Sequence, residues 1–326
     1  MHGVCLSVCL LVLLCLSFCA SPAVAHLLLV TDARIHCLLV TKKLAGAAAG
    51  TAAWATNVGN EHGQVLVSVL TAAEGAGLAD MAAGLVNRYL QAGQAPPVIL
   101  YVDRDCCGAA TKRLFQPWRD LHVRLDIWHF MRRFVSCCTT ESHQLYGLFM
   151  SKLSACIFQW DSDDITALRR AKSAELVQMG VSGLSEADVL GRLSRKELAL
   201  HCRRTTRGVE STTTLLQQLI DCFDSDQGTD SMGVPLLDHD RIQQMWKQQR
   251  QHIACIQDPA DVSLYTKTGS LVKGGVELPT YRCARGSTSL ESFHSHVAKF
   301  IPGQLIHSSL IMQYNMLLSV LGGNVL

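Results

Sequence analysis

The sequence predicts an α/β fold: a mixed sheet flanked by helices, with a mainly α-helical insertion before the last helix. Three observations carry this. Two short β-rich runs flank a Gly/Asn cluster, an apolar run ends abruptly in acid, and the order hairpin, helix, strand, helix, strand puts helices between strands of one sheet.

The hairpin comes first. Residues 53–58 and 64–70 (QVLVSVL) are strand-like, and Gly59-Asn60-Glu61-His62-Gly63 between them is a turn signal. Residues 77–92 predict an amphipathic helix, because Leu78, Met81, Leu85 and Tyr89 recur at helical spacing, and Pro96-Pro97 stops it. Residues 98–102 (VILYV) form a continuous apolar run, the pattern of a strand covered on both faces. That run passes straight into Asp103-Arg104-Asp105-Cys106-Cys107-Gly108. A helix over 109–118 and a short strand over 122–125 follow, and then Asp126-Ile127-Trp128-His129. Residues 138–258 read as mostly helical with a loop at 224–234, and 266–279 as Gly-rich and turn-like. A last helical run begins near Ser289 and resumes over 308–321. The division expected is therefore 40–137 for the first part of a core, 138–265 for a helical insertion and 266–326 for the return to the core.

Composition limits the function classes. The chain of 326 residues is 48% hydrophobic and 17% charged, enough to bury a sizeable core. Its formal charge of +2 provides no global field for nucleic acid, so any such binding needs a local patch. Arg132 with Arg133, residues 192–196 and residues 203–207 are the candidates, each readable as a solvated helix face. Of the 14 cysteines, four lie in the N-terminal apolar run. No CxxC pair recurs at zinc spacing, so the others are read as buried small apolar residues or as thiols of a reducing compartment. Zinc on Cys106, Cys107 and His129 is the alternative.

Residues 4–20 are apolar and uncharged and precede Ser-Pro-Ala-Val-Ala, with Ala23 and Ala25 at the −3 and −1 positions of a secretory cleavage site. The run falls short of the roughly 20 residues that span a bilayer, so no stable membrane span is expected. Either residues 1–25 are a genuine signal peptide or they are a foreign segment joined to the core, as a gene-model artefact would produce.

Three blocks, LYVDRDCC, LDIWHFMRR and GSTSLESFHSHV, together with VTKKLAG at 40–46 and the hairpin at 52–75, resemble Mutator-like DDE transposases and transposon-derived proteins related to them. The resemblance covers roughly residues 40–326. It implies a ribonuclease-H-like core, DNA as partner, self-association into a homo-oligomer, a nuclear location and no small-molecule cofactor. It also implies two magnesium ions on three carboxylates, which activate a water or a DNA 3′-hydroxyl and stabilise the leaving oxygen. Asp103 corresponds to the second aspartate and Glu291 to the glutamate, both as metal ligands. Asp105, Asp126, His129 and His294 take supporting places.

Each residue also has a plainer reading. Asp103 or Asp105 could cap the following helix, Asp126 fits an N-cap with His129 in the first turn, and Thr288-Ser289-Leu290-Glu291 is a capping box. The departure from the family pattern is at the first aspartate, expected about five residues before Val40, near Ile35. Only Asp32 is close, and an odd shift along a strand reverses the face. The expectation is a transposase-like protein that has lost catalysis and keeps DNA or protein binding. The alternatives are an active magnesium-dependent strand transferase or nuclease, and a secreted binding protein on the same fold.

Overall fold

The structure, a computed structural model, describes residues 36–43, 54–71, 78–286, 290 and 293. The fold is mixed α/β, and the chain divides into two compact units, Met1–Val123 with Ser287–Leu326, and Arg124–Gly286. The signal-like segment, Asp32, Ile35, Glu291 and His294 lie outside the described residues. Among the described residues, no helix is long and apolar enough to cross a membrane.

The first unit is built on a five-stranded sheet of order β3-β2-β1-β4-β5. The strands are β1 (His36–Lys43), β2 (Trp54–Gly59), β3 (Val65–Thr71), β4 (Ile99–Val102) and β5 (His122–Leu125), the last of which leads into the second unit. β1 and β2 pair antiparallel, as do β2 and β3, whereas β1 and β4 run parallel. The β2–β3 turn is made by one side chain. Asn60 Oδ1 accepts from the backbone N–H of His62 (3.1 Å) and Gln64 (2.9 Å), and Gly63 supplies the left-handed residue at φ 81°. All of β4 is buried, as an apolar run without alternation requires.

Helix α1 (Leu78–Gln91) buries Leu78, Met81, Leu85 and Tyr89, the stripe its periodicity marks. It stops before the two prolines. Gly93 at φ 61° closes it, with Gly93 N–H donating to Leu90 O and Gln94 N–H to Tyr89 O. Helix α2 (Ala109–Leu114) is shorter than the 109–118 run suggested. The chain beyond it stacks Phe115 on Trp118 at 5.1 Å, with Tyr89 edge-on to Trp118.

The second unit is mainly helical. Its helices are α3 (Ile127–Val135), α4 (Tyr146–Ile157), α5 (Ser162–Gln178), α6 (Glu186–Gly191), α7 (Arg195–His201), α8 (Val209–Phe223) and α9 (His239–Gln249). Caps set many of their starts. Asp161 and Asp238 accept backbone N–H groups, and Ser185 with Asp188 and Ser194 with Glu197 form reciprocal capping boxes.

Two hairpin-like pairs were not expected. β6 (Phe158–Trp160) pairs with β7 (Arg204–Thr206), and β8 (Tyr265–Lys273) pairs with β9 (Val276–Cys283). The second replaces the turn-like reading of 266–279. Its glycines are strand punctuation rather than loop: the register shifts between Lys267 and Gly269, and Gly274 and Gly275, both left-handed, form a two-residue turn. Leu278 packs with Leu168, Ala171 and Cys202, which makes this hairpin part of the second unit.

Candidate metal-dependent active site

In the first unit, Asp103 is half-buried at the point where β4 ends. The next residues turn sharply, with exposed Asp105 in the left-handed region at φ 57°, a conformation that aspartate tolerates better than most residues. Neither aspartate is the N-cap residue of the following helix; that residue is Gly108. Gly108 N–H donates to the backbone oxygen of Asp105 at 3.3 Å.

The parallel register identifies what lies beside Asp103. His36 is level with Ile99 and Leu39 with Val102, so one further step along both strands brings Val40 level with Asp103. The segment Leu39-Val40-Thr41 carries no carboxylate. The described residue nearest to Ile35 is His36, level with the opposite end of β4.

Leu290, the residue before Glu291, rests on the same strand. Leu290 is buried and clusters with Ile99 and Tyr101 of β4, with Val65 of β3 packed against them. Gly59 gives it room, since a Cβ there would stand 3.0 Å from Leu290 Cδ2. From the sequence, Gly59 reads as a turn residue only, whereas the inward packing expected of Leu290 is what the structure has.

In the second unit, Asp126 and His129 are brought together. Asp126 is buried and caps α3, its Oδ2 accepting from His129 N–H at 3.4 Å. The same oxygen lies 2.6 Å from His129 Nδ1. A carboxylate only accepts, so Nδ1–H donates in this contact, and in the neutral ring that tautomer is the one that ligates a metal or accepts a proton through Nε2. Gly286, at φ 92°, stands behind the pair, and a Cβ there would come within 3.2 Å of Asp126 Oδ1. The cap and the dyad are one arrangement. Trp128 meets the His129 ring edge-on at 4.8 Å, and Arg132 lies 5.3 Å over Trp128.

The arginines of 203–207 are mostly committed within the fold. Arg203 donates to both oxygens of Asp164 (2.8 and 3.0 Å), and Arg207 Nε donates to Ala155 O. Arg204 stacks 3.9 Å over Phe158. Arg133 donates to Gln249 Oε1 at 2.7 Å. Comparison of the chain with protein-family models, curated proteins and solved structures finds no match.

Proposed function

We propose that the chain is a transposon-derived core of the DDE type on a ribonuclease-H-like sheet, which keeps the fold for binding DNA and has lost strand transfer. One arrangement supports this above the rest: Asp103 leaves a wholly buried strand, and Leu290, the residue before Glu291, packs on that same strand. The reading also requires a neighbouring strand to supply the first acid. β1 is that neighbour, and it has none at the level of Asp103.

A half-buried carboxylate at a strand end suits a hard oxygen-preferring cation. Asp103 and Glu291 would hold magnesium, which when bound would activate a water or a DNA 3′-hydroxyl and stabilise the leaving oxygen. Two carboxylates hold such an ion loosely, because it gives up water reluctantly. With an apolar residue where the third belongs, a second metal has no oxygen to replace its hydration. Asp126 orients the His129 ring through Nδ1.

The test is magnesium-dependent nicking and strand transfer by the purified full chain on duplex DNA, with salt-dependent DNA binding measured by fluorescence anisotropy. The unmodified chain should bind DNA without cutting it. Val40→Asp, chosen by the register, should recover nicking that Asp103→Asn then abolishes; Ile35→Asp, chosen by the family resemblance, is the parallel variant. Robust magnesium-dependent cleavage by the unmodified chain would overturn the inactive reading.

A further inference from the structure

The loop after β4 also contains chemistry that magnesium does not use. Cys106 and Cys107 follow the left-handed residue Asp105, and the turn there brings their sulfurs to 3.7 Å from each other. Cys106 is buried and Cys107 exposed. A disulfide requires sulfurs at about 2.05 Å, so the two are not bonded to each other. A tetrahedral metal with metal–sulfur bonds of about 2.3 Å spans two thiolates at about 3.8 Å, close to the spacing found.

We propose that Cys106 and Cys107 supply two corners of a zinc site. Each thiol gives up its proton to solvent, and each thiolate donates an electron pair to the ion, so the metal's double charge is balanced at the site. The remaining corners belong to further nitrogen or sulfur donors or to water. Thiolates select a borderline-soft ion such as zinc, whereas the carboxylate of Asp103 selects a hard one. The loop therefore separates two metal chemistries by ligand type. Zinc on the pair also ties down the turn that follows Asp103, across which Gly108 N–H donates to Asp105 O.

The experiment uses the full chain, purified without chelator and dialysed. Zinc should remain in stoichiometric amount, and cobalt put in its place should give sulfur-to-cobalt charge-transfer absorption whose intensity counts the thiolates. Cys106→Ser with Cys107→Ser should lose both the zinc and the absorption. Asp103→Asn, which removes the proposed magnesium ligand, should keep them, so the two readings fail independently. Because the double variant could misfold, alkylation of the unmodified chain is followed by peptide mapping: Cys107, although exposed, should be protected until a chelator is added. Equal labelling of Cys107 with and without chelator, or charge-transfer absorption that survives the double substitution, would show two thiols in simple contact and end the proposal.

Discussion

The two units are held by different forces. The first depends on a wholly buried strand, Ile99, Leu100, Tyr101 and Val102, and α1 adds a stripe of apolar residues. The second has a buried apolar core of its own and adds caps and ion pairs to it. Lys172, Glu175, Glu197 and Lys273 form a closed square with contacts of 2.7–3.1 Å, and Arg285 grips Asp258 through two hydrogen bonds of 2.7 and 2.8 Å. Apolar burial is insensitive to pH, whereas charge pairing depends on which groups are ionised. The same chain thus combines a unit whose stability should be flat in acid with one whose stability should fall.

The largest expected effect is at Asp258. Arg285 is buried, and removal of its partner leaves an uncompensated charge, so Asp258→Ala should cost about 3–5 kcal/mol in denaturant unfolding of the second unit. Arg204 O also accepts from Arg285, which adds to the disruption. A loss below about 1 kcal/mol would mean that water reaches the guanidinium and that the charge pairing is peripheral.

In the first unit the matching change is Leu100→Ala, expected to cost about 2–5 kcal/mol through lost transfer energy and a cavity. Its cost should be the same at pH 3 and pH 7. A strong pH dependence would break the contrast between the units.

Gly274→Ala tests how tightly the β8–β9 hairpin seats on α5. The residue is at φ 56°, and a Cβ would lie 2.5 Å from Ala171 O and Glu175 N, backbone atoms that cannot step aside. Left-handed strain and overpacking together should cost about 2–4 kcal/mol and expose Leu278. Hydrogen exchange of β8 and β9 would show the loosening directly.

The smallest effect is the acid dependence of the charged square. Burial pushes the Glu197 carboxyl up, but hydrogen bonds from Lys273, Ser194 and Lys172 outweigh it and hold the group at about 2. The Lys172 and Lys273 ammonium groups likewise hold Glu175 below the usual carboxylate range. A depressed carboxyl stabilises the fold above its unfolded value, near 4.3, and that contribution is lost as pH falls from there towards the folded value. Stability of the second unit should therefore decline below pH 4, and Glu197→Gln should flatten the decline while lowering stability at pH 7. An unchanged acid profile in the variant would move the titration elsewhere.

What could be read from the sequence was local. The 122–125 strand, the α1 stripe, the hairpin around Asn60 and the cap at Asp126 all rest on patterns within a few residues, where periodicity and turn chemistry act directly. The β8–β9 hairpin was misread because Gly269, Gly274 and Gly275 suit either a loop or a bulge and a tight turn, and only packing against α5 chooses between them. β6 and β7 are three residues each, too short for a period of two to register.

By itself, then, the sequence determined the mixed α/β class, the buried strand ending in acid and the helix cap at Asp126 with His129 in the first turn. Each of these follows from side-chain periodicity or from hydrogen bonds that span a single turn. Only the tertiary structure decided that β1 lies parallel to β4 with Val40 at the level of Asp103, and that Leu290 packs on β4. Register and packing join residues far apart in the chain, and their free energy comes from surfaces that exist only once the sheet has formed. The approach of the Cys106 and Cys107 sulfurs belongs to the same group, although the residues are neighbours. It follows a left-handed backbone at Asp105, a conformation set by the folded loop.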